Sequence, residues 1–158
     1  LTTMSSFAEL AKMKLSDIQR PENQPMGTYI VTVKGPGIIR EFTSGDVEYE
    51  AVDFKCVGVQ ALHTDDDELL ERVGGPKAVV VTQTFMFNKA EEEAASREKS
   101  MYSMRRFFEV LGFDEEQSIS ECMAMAGGRN FTAEINYRPD TRNEGQFYLN
   151  LKSYSAIE

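Results

Sequence analysis

Alternation of apolar and polar residues with a period of two marks five stretches of the chain and predicts a β-strand in each. The first runs from Thr28 to Val33, the second from about Val47 to Leu62, and the third from Ala78 to Phe87. The last two, at about 131–137 and 147–151, are separated by a turn over 138–145 and are typical of a hairpin. The pattern therefore predicts a protein built mainly from β-strands.

Glycine and proline positions indicate where these strands break or bend. The run Gly35-Pro36-Gly37 ends the first strand, because proline has no backbone N–H to donate and glycine favours turns. The second strand is long enough to bend strongly, and Gly58 is the predicted bulge or kink. We expect the segment between the first two strands, Lys34 to Gly45, to be a loop.

The period changes to that of a helix between the third and fourth strands. Ala94 to Leu111 places Met101, Met104 and Phe108 on one face, and a second helix is predicted from about Glu115 to Ala126. A further amphipathic helix is predicted at 5–20, where Ser6 and Glu9 form a capping box and Pro21 and Pro25 follow. The sequence thus indicates an N-terminal arm (1–24) and one domain (25–158) with a helical insertion at about 94–126.

Three strands, a helical segment and a closing hairpin follow one another in the order of the OB-fold. A five-strand OB-type Greek-key barrel also explains a long second strand, since that strand must serve both halves of the closure. A β-sandwich or an α+β half-barrel has the same strand count and stays open as an alternative. We expect a mainly β, OB-type barrel preceded by a short helix.

Four short motifs resemble those of phage-encoded single-stranded DNA-binding proteins. The segment 25–33 matches an opening strand of the form P-x-G-x-Y, and the others are 108–112 (Phe-x-x-Leu-Gly), 128–135 and 145–150. The resemblance spans about Pro25 to Tyr154 and implies an OB-type fold that binds single strands in phage replication or recombination. Many such proteins end in an acidic tail, whereas this sequence ends Ser155-Ala156-Ile157-Glu158, so we do not expect tail-mediated recruitment of partners.

Composition narrows the class of protein. The 158 residues suffice for one hydrophobic core, and 41% hydrophobic with 27% charged residues is typical of a globular domain. No apolar run approaches the roughly 20 residues of a membrane span, and no secretory signal is recognisable.

Leu1 is not an initiator, so we expect 1–3 to precede a start at Met4. Cys56 and Cys122 are predicted to be buried, reduced thiols.

The net charge of −9 is concentrated in two segments. Residues 62–76 carry five acids against Arg72, a net of −4, and residues 114–121 carry four acids and no basic residue. In an OB-fold the ligand lies across strands two and three, between the loop joining strands one and two and the loop joining strands four and five. Those loops, 34–45 and 138–145, are close to neutral, so the charge pattern favours a binding groove on an acidic body.

Single-strand binding requires aromatic platforms as well as cations, because bases stack on rings. If Phe147, Leu149 and Leu151 face the core, then Tyr148, Asn150, Lys152 and Tyr154 face outward. The same row would also arise if this were an edge strand whose amphipathic side chains have the structural role of covering the core. The candidate nucleic-acid-binding residues are Lys34, Arg40, Phe42, Tyr49, Lys55, Arg138, Arg142, Tyr148, Lys152 and Tyr154.

The sequence contains no motif of a known catalytic or metal centre. His63 beside Asp65 and Asp67 lacks the spacing of a calcium loop, and Gly74-Gly75-Pro76-Lys77 precedes a strand rather than opening a helix. There is no Gly-x-Ser-x-Gly and no Cys–His pair at a plausible spacing. We therefore expect no enzyme activity, no cofactor and no metal.

The leading hypothesis is a single-stranded DNA-binding protein of phage replication or recombination, acting in the cytoplasm of the host bacterial cell. Its expected partners are single-stranded DNA and replication or recombination proteins, with no membrane; a homodimer is left open. The alternatives are an acidic protein-binding module that imitates DNA to inhibit a host enzyme, and a virion-associated structural domain.

Overall fold

A computed structural model describes residues 6–158, so the expected start at Met4 lies outside the described residues. The fold is mainly β, with six antiparallel strands and a helical segment between the fourth and fifth. The strands are β1 (Gly27–Val33), β2 (Ile38–Ser44), β3 (Val47–Thr64), β4 (Val80–Asn88), β5 (Asn130–Pro139) and β6 (Phe147–Ser155). The helices are α1 (Phe7–Leu10), α2 (Asp67–Arg72), α3 (Ala94–Val110) and α4 (Ile119–Met125).

The long strand β3 organises the sheet. Its residues 56–64 pair with β1 and its residues 47–53 pair with β2, so β1 and β2 lie one after the other along the same edge. From the opposite edge β4 pairs with residues 49–57, while β5 adds to β1 and β6 adds to β5. The prediction that 34–45 is a loop is therefore wrong for most of its length, because β2 is an additional strand held by pairing with β3.

A bulge in β3 lies next to Gly58, the residue predicted to be a bulge or kink. The register with β1 shifts between Ile30 and Val31, opposite Gln60 and Gly58. A Cβ atom on Gly58 would lie 2.0 Å from the carbonyl oxygen of Pro76, so the residue also permits a close approach of the segment that leads into β4. The bulge therefore lies within the part of β3 that pairs with β1.

The sheet is open between β4 and β6. These two strands approach each other, yet within residues 6–158 no hydrogen-bonded ladder joins them. Closure into the expected OB-type barrel is therefore not confirmed. The structure bears out the coarser expectation of a mainly β fold with a helical insertion.

Aromatic residues fill the core enclosed by the sheet and α3. The ring of Phe107, which is fully buried, lies 5.2 Å from Phe54, 5.5 Å from Phe131 and 5.3 Å from Tyr154 between centroids. Edge-on and tilted contacts of this kind contribute about 0.5–1.5 kcal/mol each beyond area burial. Through Phe107, α3 is thereby packed against residues of β3, β5 and β6.

Three helical predictions need correction. The acidic loop 65–68 continues into α2, where the Asp66 carboxylate accepts from the N–H of Leu69. α4 starts after the capping residue Ser118 instead of at Glu115. The helix predicted at 5–20 is reduced to α1, a short 3₁₀ turn and extended chain, with residue 5 outside the described residues. None of the helices in 6–158 has the length and apolar composition that a membrane crossing requires.

Candidate functional site

The open seam of the sheet forms a groove, here called the seam groove, between β4 and β6. Its volume is about 1090 Å³. The lining residues are Asn23 and Gln24 of the arm, residue 78, residues 80–84 and 86 of β4, Asn136 and Arg138 of β5, and residues 148–152 of β6. Because each of β4 and β6 pairs on one side only, their other edges face the groove.

The charge of the seam groove differs from that of the whole protein. None of the described residues that line it is acidic, whereas Arg138 and Lys152 are basic. The Lys152 ammonium lies 3.3 Å from a carboxylate oxygen of Glu134, which neutralises part of its charge. Arg138 has no ion pair within residues 6–158. A chain of net charge −9 thus has a groove whose ionised side chains are cationic.

Amide side chains supply most of the other polar groups of the seam groove. Asn150 donates a hydrogen bond of 2.8 Å from Nδ2 to Oδ1 of Asn136, which fixes both side chains across the β5–β6 pair. Asn23 donates from Nδ2 to the carbonyl oxygen of Phe147 at the end of the groove. Amides both donate and accept hydrogen bonds, so this lining suits the edges of unpaired bases and the oxygens of a sugar-phosphate backbone.

The outward-facing side of β2, β3 and β4, here called the outer face, adjoins the seam groove. Lys55 pairs with Thr82, which lines the groove, and the N–H of Lys34 donates to the carbonyl oxygen of Lys55 at 2.8 Å. Both lysines are exposed because Val33, Phe54 and Cys56 take the inward positions. The predicted outward orientation of Lys55 is confirmed, and Lys34 and Lys55 form a basic pair beside the groove.

Arg40 lies on the outer face but is partly neutralised. Its Nε is 2.5 Å from a carboxylate oxygen of Asp53, and Thr84 donates to the other oxygen at 2.6 Å. Partial burial acts to raise the pKa of Asp53, but the hydrogen bonds from Arg40 and Thr84 outweigh it and hold this pKa below its usual value. Arg40 is thereby held in a fixed position on the face.

Phe42 and Tyr49 stack on each other near the turn between β2 and β3. Their ring centroids are 5.2 Å apart with an interplanar angle of 16°, and the Arg40 guanidinium lies 5.0 Å from the centre of Phe42. This contact explains Phe42, which the sequence left without a structural role. The three residues form a stacked cation–aromatic cluster on the outer face.

Tyr148 faces outward, as predicted, with 43% of its surface exposed, and it lines the seam groove. Tyr154 does not, so the prediction that it faces outward is wrong. A register shift after Glu134 leaves Lys152 as an extra residue in β6, and an extra residue reverses which face the following side chains occupy. The Tyr154 ring packs on Phe107 and Phe131, and burial raises the pKa of its phenol.

The structure gathers most, but not all, of the candidate residues. Arg138, Tyr148 and Lys152 line the seam groove, and the cluster of Arg40, Phe42 and Tyr49 joins Lys34 and Lys55 on the outer face. Arg142 sits in the β5–β6 turn, where its N–H donates to the Asp140 carboxylate, and is not part of the groove lining.

Sequence reasoning placed Asn150 outward but missed the other amide residues that line the seam groove. Alternation along β5 places Asn136 outward once Ile135 is taken as a core residue, so a signal for it existed. Nothing in the sequence marks Asn23 and Gln24, because their place depends on contacts of the arm with β6 and with the segment after α2.

Neither acidic segment contributes a residue to the described lining of the seam groove, although the first adjoins the end where Gln24 donates to the carbonyl oxygen of Val73. Asp67 accepts a hydrogen bond of 2.5 Å from the hydroxyl of Thr64, and no residue from 65 to 71 or from 114 to 121 lines the groove within the described chain. Burial is the main cause that raises the pKa of Tyr29 to about 12, with smaller contributions from Tyr137 and Asp65. The segregation of charge predicted from the sequence therefore has a counterpart in the structure.

The cysteines are free and buried, as predicted, and burial raises the pKa of the Cys56 thiol to about 12. Across residues 6–158 no group of three or more His, Cys, Asp or Glu residues is arranged to hold a metal ion. Comparison with models of known protein families and with curated proteins finds no match to this chain.

Proposed function

We propose that the protein binds single-stranded DNA in the seam groove and across the adjoining outer face. The observation that carries the proposal is the acid-free lining of the described seam groove on a chain of net charge −9. Phosphates are repelled by most of this protein's surface, so a strand is directed to the surface where Arg138, Lys152, Lys34 and Lys55 lie.

The strand connections support an OB-type barrel that is open at the seam. β1 with its continuation β2 acts as the first strand, β3 as the second and β4 as the third, and the hairpin of β5 and β6 follows the helices. In an OB-fold, oligonucleotides lie across strands two and three. That surface corresponds here to β3 and β4, which carry Lys55 and the β4 side of the seam groove.

The stacking groups favour an unpaired strand over a duplex. Tyr148 lines the groove with an exposed ring, and Met86 and Val80 add exposed apolar surface beside it. A base stacked on an aromatic ring contributes about 1–3 kcal/mol, and bases are available for such contacts only when they are unpaired. Duplex DNA would be left with the phosphate contacts alone, against an unfavourable net charge.

The role in phage DNA replication or recombination, in the cytoplasm of a bacterial host, belongs to the same proposal. It is supported by the resemblance of four motifs, in particular the opening strand 25–33, to phage single-stranded DNA-binding proteins. In the structure that segment leads into β1, and Tyr29 donates a hydrogen bond of 2.6 Å to the carbonyl oxygen of Pro25.

The test is a titration of the protein into fluorescently labelled single-stranded and duplex oligonucleotides of equal length at several salt concentrations. We expect tighter binding of the single strand. With about four to six phosphate contacts, log K should fall against log salt with a slope of about −3 to −4. Absence of binding to both oligonucleotides, or equal binding of both, would contradict the proposal and favour a DNA-mimicking inhibitor or a structural domain.

A further inference from the structure

The N-terminal arm exposes a series of large apolar side chains. From Ser6 to Glu22 every residue is exposed, and Phe7 and Leu15 are exposed to 81% and 87%. Leu10, Met13 and Ile18 add to the same segment. Contiguous exposed apolar surface of this kind is typical of a binding segment, because its burial against a partner is favourable.

Among residues 6–24 of the arm, the side-chain hydrogen bonds and ion pairs with the domain come from the C-terminal end. Arg20 donates from Nη2 to the carbonyl oxygen of Phe147 at 2.8 Å, and its Nη1 lies 3.3 Å from the Asp140 carboxylate. Asn23 donates to the same carbonyl oxygen. The apolar residues 7–18 precede these contacts and bury no side chain in the domain.

A second groove, here called the helical groove, lies between α3 and the segment that leads into α4. Its volume is about 530 Å³, and its apolar part is formed by Met101, Phe108, Phe113 and Ile119. Met101 and Ile119 also line a neighbouring depression of about 430 Å³ together with Met104 and Met123. Methionine side chains adapt to differently shaped apolar partners, so this surface suits a peptide segment.

The rim of the helical groove is acidic. Glu109, Asp114, Glu115 and Glu116 line it against one basic residue, Arg105. The guanidinium of Arg105 is already engaged, at 2.8 Å from Glu109 and 3.9 Å from Glu115. The groove therefore combines an apolar floor with uncompensated negative charge.

The arm has the complementary pattern. Lys12 and Lys14 are exposed and lie between the apolar residues Leu10 and Leu15, and neither lysine forms an ion pair within residues 6–158. Glu9 and Asp17 offset these two cations in the sum over residues 7–18, so the match in charge with the acidic rim is confined to Lys12 and Lys14, while the apolar residues beside them match the apolar floor. Complementary charge at the rim directs a partner segment, while apolar burial supplies the affinity.

The position of the arm favours a second copy of the chain as its source. Arg20 is fixed beside Phe147 at the start of β6, whereas α3 packs on Tyr154, seven residues further along that strand. At the rise of an extended strand the two points are about 23 Å apart. In the structure the arm buries no side chain in the helical groove of its own chain, whose described lining contains no arm residue, so this groove is open to the arm of a second copy.

We infer that residues 7–18 of one copy bind in the helical groove of a second copy. Phe7 and Leu10, three residues apart on α1, insert between Met101 and Ile119, and Lys12 and Lys14 face the acidic rim. The contact is self-complementary, because each copy carries both an arm and a groove, so a reciprocal dimer satisfies both. This inference does not depend on the binding of DNA.

The first test is the mass of the full chain in solution, measured by sedimentation equilibrium over a wide concentration range. The chain should form a dimer. Phe7→Ser with Leu10→Ser should weaken the dimer about a hundredfold, because two large apolar side chains lose their burial. Lys12→Glu with Lys14→Glu should weaken it about tenfold through rim repulsion. These residues bury nothing in their own domain, so the unfolding temperature should not change when it is measured at a concentration where the wild type is also monomeric.

A mixture of charge-reversed variants provides the sharper test. Alone, Lys12→Glu with Lys14→Glu places an acidic arm against an acidic groove, and Glu115→Lys with Glu116→Lys places Lys12 and Lys14 of the arm against a groove that has gained two lysines. Mixed together, each arm meets a groove of opposite charge, so a heterodimer of near wild-type affinity should form. A monomeric wild-type chain, a dimer that survives the arm substitutions, or a mixture that stays monomeric would each overturn the inference.

Discussion

The seam groove and the helical groove differ in chemistry although they belong to one acidic domain. The seam groove is lined by amides and by Arg138 and Lys152, whereas the helical groove has an apolar floor and a rim that includes Glu115 and Glu116. Both are open to solvent and are built mainly from side chains that a core does not require. The charge of the helical groove has the same sign as the net charge of −9, whereas the charge of the seam groove has the opposite sign.

The difference shows that the distribution of charge, more than its sum, decides which partner a surface can accept. Fields of exposed charges are screened over about 8–10 Å at physiological salt, so the charges that line each groove dominate the field within it. The seam groove therefore attracts a polyanion, whereas the helical groove attracts a cationic segment of a peptide.

Reversal of both cations in the seam groove should have the largest effect. At about 0.1 M salt each lost phosphate contact weakens single-strand binding roughly fivefold, and Arg138→Glu with Lys152→Glu also introduces repulsion, so we expect a loss of about a hundredfold. Fluorescence anisotropy with a labelled single strand measures this directly.

The matched control is Lys99→Glu with Arg106→Glu on α3, which makes the same change in net charge. Both residues are exposed, and neither lines the seam groove or the helical groove. This variant should lose less than about threefold in affinity, because the added charges lie outside the site. Equal losses in the two variants would mean that net charge, not the groove, governs binding.

The two tyrosines of β6 should separate binding from stability. Tyr148→Ala should weaken single-strand binding about tenfold, through loss of a stacking platform, with the free energy of unfolding unchanged within about 0.5 kcal/mol. Tyr154→Ala should lower the free energy of unfolding by about 2 kcal/mol, because its half-buried ring packs on Phe107 and Phe131.

Urea unfolding and anisotropy on the same two samples provide the measurements. A Tyr154→Ala variant that is fully stable would contradict the inward orientation given by the register shift after Glu134. A Tyr148→Ala variant with wild-type affinity would remove the stacking contact from the proposed function.

Neutralisation of Asp53 should have the smallest effect on binding. Asp53→Asn releases Arg40, so single-strand affinity at neutral pH should rise a few-fold while the stability of the domain decreases. The pKa of Asp53 in the folded protein lies below the usual 3.8. Its carboxylate therefore contributes stability above about pH 4, and this contribution is lost as pH falls through the folded pKa.

Thermal unfolding of the wild type and Asp53→Asn between pH 7 and pH 3 checks the sign. The difference in unfolding temperature should be constant at neutral pH and should shrink below about pH 4. A constant difference over the whole range would show that the ion pair with Arg40 is not the source of the stability.

Local patterns in the sequence located most of the strands. β1, β3, β4, β5 and β6 were predicted because each alternates or is rich in β-branched and aromatic residues. β2 was missed because Ile38, Ile39, Arg40 and Glu41 do not alternate, and all four are exposed. Pairing with β3 makes this segment a strand, and the partner is not visible in its own residues.

The candidate site was predicted less completely than the fold. Lys55 was found because alternation assigns a face to each residue, whereas Arg138 was proposed as a basic residue of the turn 138–145 and in fact lies in β5. Tyr154 was assigned to the wrong face, since a single extra residue at Lys152 reverses the alternation beyond it. The apolar spacing of the arm predicted a helix over 5–20, but with no side chain buried there, only α1 and a 3₁₀ turn form.

The sequence by itself determined the elements whose pattern repeats over neighbouring residues, the bulge next to Gly58, the buried thiols and the separation of the acidic segments from the basic positions. Only the tertiary structure decided that β2 exists, that β6 shifts register, and that β4 and β6 leave an open groove lined by amides from distant segments. The physical reason is the separation along the chain of the residues that form each feature. Periodicity reports which face of its own strand a residue occupies, whereas a groove is formed by contacts between strand edges that lie far apart along the chain.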